Sequence, residues 1–121
     1  MASVNIVNVT SILPFTINGA VTTSNQDIID VAADKLYKVN TIIIANIDGT
    51  NSATITISIS NDNGASSHAI ASTVAVPADS TLVVIDKNSS IYLDETDILK
   101  IQGSANSDLE YTVSGEILDD A

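Results

Sequence analysis

From Ala53 to Ser60 the chain reads Ala-Thr-Ile-Thr-Ile-Ser-Ile-Ser. Successive side chains of an extended strand point to opposite faces, so Ala53, Ile55, Ile57 and Ile59 share one face and Thr54, Thr56, Ser58 and Ser60 the other. This period of two predicts a half-buried β-strand. The pattern recurs near the end of the chain, where Leu109, Tyr111, Val113, Gly115 and Ile117 oppose Glu110, Thr112, Ser114 and Glu116. That arrangement predicts a strand on the outside of a sheet with its charged face in water.

Between such runs lie clusters of turn formers: Asn18-Gly19, Ser24 to Gln26, Asp48 to Asn51, Asn61 to Gly64, Pro77 to Asp79, Asp86 to Asn88, Asp94 to Asp97 and Gly103 to Asp108. Gly, Asn and Asp tolerate positive φ or bond their own backbone, so each cluster reads as a turn. Strands are expected at Val4 to Thr10, Ile12 to Ile17, Ile28 to Ala33, Leu36 to Ile47, Ala53 to Ser60, His68 to Val76, Thr81 to Ile85, Ser90 to Leu93, Ile98 to Gln102 and Leu109 to Leu118. Short strands at regular spacing predict an all-β fold, a single antiparallel β-sandwich of jelly-roll or Greek-key type. Residues 1–34 are expected to supply N-terminal strands or a docking arm, and residues 35–121 the body of one domain.

Two runs depart from simple alternation. Ile42-Ile43-Ile44-Ala45 and Leu82-Val83-Val84-Ile85 are apolar on both faces, which fits either a central strand or one whose outer face a second subunit covers. Ile42, Ile43 and Ile44, together with Phe15 of the N-terminal segment, are the candidate partner-contact residues.

Fifteen Asp and Glu against four Lys and no Arg give a net charge of −11. Four scattered lysines make no patch to displace phosphate counterions, so neither nucleic acid nor an anionic membrane is an expected partner. The absence of cysteine excludes disulfides and thiolate metal sites. Met1 to Thr10 lacks the basic start and apolar run of a secretion signal, and synthesis in a cytoplasm is expected.

The chemistry-bearing residues do not assemble into a reaction centre. His68 is the one histidine, without Cys or a second His to complete a zinc set or a catalytic triad. Asp94-Glu95-Thr96-Asp97 could offer oxygen ligands to calcium, yet its spacing is not that of an EF-hand loop, and a turn between Leu93 and Ile98 accounts for the same residues. Asn61-Asp62-Asn63-Gly64 reads as a hairpin turn. No catalytic residue, metal ligand or cofactor is expected, and the chain is read as a non-enzyme.

Ala75-Val76-Pro77-Ala78-Asp79-Ser80-Thr81-Leu82-Val83-Val84-Ile85, followed by Ser90-Ile91-Tyr92-Leu93-Asp94-Glu95-Thr96-Asp97, resembles small virion structural proteins of tailed bacteriophages, especially those of marine cyanobacteria. In that family a Val-Pro-Ala turn, an aliphatic strand and an Ile-Tyr-Leu strand-turn occur in this order. The stretch from Leu36 to Thr50 is similar to the family's earlier strand, and Ser107 to Glu110 to the start of its closing one. The resemblance covers about Leu36 to Ile117, and Thr96 stands where the family commonly has Gly.

It implies a β-sandwich subunit on the capsid exterior, with decoration (cement) of the major capsid protein as the leading function and a homotrimer as the expected assembly. A neck, tail or fibre component is the second expectation. A calcium- or carbohydrate-binding β-sandwich module is the third, for which the chain offers Phe15, Tyr37, Tyr92 and Tyr111 as aromatic platforms.

Overall fold

A computed structural model describes residues 4–120. The strands are β1 (Ser11–Ala20), β2 (Gln26–Asp30), β3 (Lys35–Asn46), β4 (Ala53–Ser60), β5 (His68–Val76), β6 (Thr81–Ile85), β7 (Ile91–Leu93), β8 (Ile98–Gly103) and β9 (Leu109–Asp119). They form two antiparallel sheets, one ordered β1-β9-β3-β6 with β7 also against β3, the other ordered β2-β8-β4-β5. The architecture is the expected all-β sandwich. The N-terminal stretch contributes an edge strand to each sheet, β1 beside β9 and β2 beside β8.

The expected first strand, Val4 to Thr10, is not one. Ile6–Asn8 forms a single 3-10 turn, capped by Asn5, whose side-chain oxygen accepts from the Val7 N–H at 3.0 Å. A short polar side chain that binds nearby backbone offers the chain an alternative to a sheet ladder. Val4 and Val9 instead pack onto Leu36 and Leu118, forming a small second core apart from the main one.

The main core is an aliphatic layer between the sheets. Val39, Ile42, Ile44 and Val113 from the first sheet and Ile55, Ile57, Leu99 and Ile101 from the second have no exposed surface. Removing each such side chain from water contributes about 1.5–3 kcal/mol. Alternation explains most of these positions, but Val39 and Ile42 are three residues apart and both point inward.

A β-bulge supplies the reason. The pairing of β3 with β9 runs Val39↔Gly115 and then Thr41↔Ser114, leaving Asn40 as an extra residue. One inserted residue exchanges the two faces of the strand beyond it. Before the bulge Tyr37 and Val39 face the core; after it Ile42 and Ile44 do. The bulged backbone also presses on the neighbouring strand. A Cβ at position 115 would overlap the Lys38 carbonyl and lie 3.1 Å from the Asn40 nitrogen, so the site accepts only glycine. Gly115→Ala is therefore expected to destabilise the fold by at least about 1–3 kcal/mol. Gly49→Ala, whose new methyl would meet nothing closer than 3.7 Å, serves as the control in urea unfolding.

Candidate functional site

The geometry directs attention to surfaces. The outer face of the five-stranded sheet is built in cross-strand rows. One row runs Asn18, Thr112, Ile43 and Val83; the next runs Thr16, Ser114 and Thr41; a third runs Pro14, Glu116, Lys38 and Tyr92. Thr16 and Ser114 hydroxyls bond one another at 3.0 Å. Ile43 and Val83 form an apolar pair at the centre of otherwise small, polar neighbours, with Val83 55% exposed. The Lys38 ammonium lies 6.0 Å over the Tyr92 ring, within reach of its negative face.

The candidate contact residues separate across this sheet. Ile43 reaches the outer face and is half-buried there. Ile42 and Ile44 do not: both are sealed in the core, so the two-faced run is a central strand at these positions and neither side chain can touch a partner. Phe15 is half-buried on the inner face, where its ring meets Tyr37 edge-on with centroids 5.3 Å apart, closing the margin of the core. Tyr37 and Tyr111 are likewise half-buried against the core, and Tyr92 is the well-exposed ring among the described residues.

Asp94 to Asp97 forms a turn whose acceptors are engaged by backbone donors. The Asp94 N–H donates to the Asp97 carboxylate at 2.8 Å, the Glu95 N–H to the Asp94 carboxylate at 2.8 Å, and the Asp34 N–H to the Glu95 carboxylate at 2.8 Å. Thr96 sits in this turn at φ 67°, the left-handed region that favours glycine. His68 is exposed at the start of β5.

The Asn61 to Gly64 turn is organised by Ser60 and Asp62. Ser60 is fully buried; its hydroxyl donates to Asp62 at 2.8 Å and accepts from the Gly64 N–H at 2.8 Å. The Ser66 hydroxyl and N–H, with the Ser60 hydroxyl, hold the Asp62 carboxyl at about 2, below its ordinary 3.8. At the opposite end, the Thr50 and Asn51 amides lower Asp48, while burial and the adjacent Asp48 charge raise Asp108. A shallow recess of about 290 Å³ between β1 and β9 is lined by Asn18, Gly19, Ala20, Glu110, Tyr111 and Thr112.

Asn46 is a structural residue that alternation alone does not reveal. It is buried at the end of β3, donating its amide to the Asn51 carbonyl at 3.0 Å and the Val76 carbonyl at 2.9 Å, and accepting from the Asp48 N–H at 2.9 Å. One side chain thereby ties the β3–β4 loop to the end of β5. The available sequence signal is an Asn two residues before Asp48-Gly49, a spacing suited to a side-chain-closed turn.

No protein-family model matches the chain, and no curated protein matches it. Among solved structures it is similar to a chain of the disulfide-linked pili of Bacillus endospore appendages, with TM-score 0.56 and 15% identity over 92% of this chain and 88% of that one. It is also similar to a chain of the T13 particle of infectious bursal disease virus, with TM-score 0.51 and 9% identity over 92% of this chain and 32% of that one. A pentameric capsid protein from metagenomic phage sequences aligns with TM-score 0.41 and 16% identity over 87% of this chain and 62% of that one. At such identities, the two likenesses above 0.5 establish a shared fold.

Two measurements test these turns. The Asp62 anion gains its bonds only in the folded loop, so its stabilisation is present above the ordinary carboxylate pKa of 3.8 and is lost as pH falls through about 2. The Ser66 amide resonance is expected to titrate with a midpoint near 2, and Asp62→Asn should abolish that step. Thr96→Gly relieves the left-handed backbone and is expected to stabilise the protein by about 1 kcal/mol in urea unfolding, with the gain absent for Thr96→Ser.

Proposed function

We propose that the chain is a structural subunit of a bacteriophage virion and, within it, a decoration (cement) protein that binds the major capsid protein on the outside of the head. The observation that carries this reading is the outer face of the five-stranded sheet. Among fifteen carboxylates in the chain, Glu110 and Glu116 fall on that face within the paired strands, around the apolar pair of half-buried Ile43 and exposed Val83. A strongly anionic protein can approach a neighbour with least repulsion and desolvation cost where its carboxylates are sparse. The same face suits contact between copies in a trimer.

Further support comes from the resemblance over Leu36 to Ile117 and from the fold shared with chains of a viral particle and a pilus. The mechanism is adhesion. A subunit that binds only the assembled shell stabilises it by mass action, by about 2.7 kcal/mol per site when free subunit is at a hundredfold its dissociation constant. Synthesis in the host cytoplasm followed by release on lysis agrees with a chain that contains no cysteine.

A second reading, a tail or fibre subunit, is favoured by the likeness to the endospore pilus chain, because it spans nearly the whole of both polypeptides. Those pili are disulfide-linked, whereas this chain has no cysteine, so a fibre built from it would need other joints.

Copy number and a particle map distinguish the two. Shell decoration predicts on the order of hundreds of copies under icosahedral symmetry, and a tail position about a dozen or fewer under ring symmetry. Density for this sandwich confined to the tail would overturn the decoration reading. Val83→Asp, at a side chain 55% exposed on β6, is expected to abolish shell binding in co-sedimentation while leaving the thermal midpoint nearly unchanged.

A further inference from the structure

We propose that the end of the sandwich bearing residues 6–13 is a docking face for a protein surface with an apolar centre and a rim of lysine or arginine. This goes beyond the virion reading and stands whether or not the partner is a capsid. Nine large apolar side chains are exposed among the described residues, and four of them lie in this short stretch: Ile6 at 53%, Val7 at 89%, Ile12 at 57% and Leu13 at 61%, the last two on opposite sides of edge strand β1, so that they flank this end of the sandwich from both sides. Such a concentration differs from the scattered apolar exposure normal to a soluble surface.

The stretch is anchored. Val4 and Val9 pack onto Leu36 and Leu118, Asn5 caps the 3-10 turn, and the Thr10 N–H donates to the Asp119 carbonyl at 2.8 Å before β1 enters the sheet. The apolar side chains are therefore presented by a seated segment, which lowers the ordering cost of binding.

Charge identifies the occupant. Three segments meet at this end, at residues 30–35, 94–97 and 119–120. The Val31 N–H donates to the Asp97 carbonyl at 3.1 Å, the Thr96 N–H to the Val31 carbonyl at 3.1 Å, and the Asp120 N–H to the Asp34 carbonyl at 3.3 Å. Together they carry Asp30, Asp34, Asp94, Asp119 and Asp120 at the surface, with Glu95 and Asp97 buried behind them, against one cation, Lys35, which is itself paired to Asp119 at 2.6 Å. A second copy docked through this same end would set these surface carboxylates against their own equivalents. A basic rim complements them, and complementary charge steers such a partner onto the apolar centre.

The test uses the full-length protein and short synthetic peptides with an aliphatic centre flanked by lysine pairs, or by glutamate pairs as the counterpart. Amide shifts are mapped by NMR. The lysine-flanked peptide is expected to perturb residues 6–13, 31–35, 94–97 and 119–120, and to lose about tenfold in affinity as salt screens the rim. Val7→Asp and Ile12→Asp should each weaken it about tenfold, whereas Ile47→Asp, at the opposite end, should not.

Equal binding of the glutamate-flanked peptide, or shifts centred on β5 or on the Ile43–Val83 face, would overturn the proposal. So would dimerisation of the wild type in sedimentation equilibrium that Val7→Asp abolishes, because a second copy would then be the occupant. Circular dichroism confirms that each variant folds. Absence of the protein from virions would sink the virion reading and leave this peptide map untouched; a failed map would do the reverse.

Discussion

The pairing of β3 with β9, with Asn40 bulged out opposite Gly115, is the constraint on which the rest of the sandwich depends. These are the longest strands and they lie side by side in the five-stranded sheet. Without the extra residue, Tyr37 and Val39 could face the core only if Ile42 and Ile44 faced solvent. With it, both halves of β3 contribute inward side chains and Ile43 turns outward beside Val83. One local irregularity thus sets both the core and the character of the exposed face.

Charge follows the same division of labour. Most carboxylates occupy loops and strand ends, where their oxygens accept backbone N–H donors: Asp48 from Thr50 and Asn51, Asp62 from Ser66, Asp86 from Asn88, Asp94 from Glu95. A negative net charge is compatible with a tightly packed aliphatic interior because the anions lie in turns, where they close the backbone. The sheet faces are left with few charges, and those faces are the surfaces suited to contact with other proteins.

Edges receive different treatment. β1 contains Pro14, and β2 is short and carries Asp27, paired to Lys100 at 2.7 Å. β5 is long and lacks carboxylates, but it is irregular: its register with β4 shifts twice, and Thr73 adopts φ 46°. Bulges and charges of this kind oppose indiscriminate strand addition. The side-chain surfaces of the sheets, and not their strand edges, are the faces open to contact.

Much of the architecture was legible in the chain. Alternation at Ala53 to Ser60 and Leu109 to Leu118, with Asn, Asp and Gly between runs, led to the two-sheet sandwich and to strands near their observed places. Alternation marks which residues can share a face, but it carries no information about what covers that face. Ser58 and Ser60 read as solvent-facing yet are buried, and Ser60 is enclosed by the turn that follows it. Ile42, Ile43 and Ile44 read alike as contact candidates, and Val4 to Thr10 as a strand. The bulge at Asn40, the Asn5 cap and the three-way clasp of Asn46 depend on neighbours distant in sequence or on a single extra residue. Local pattern therefore determined the class of fold, whereas tertiary contact decided which aliphatic side chains are enclosed in the core and which remain at the surface.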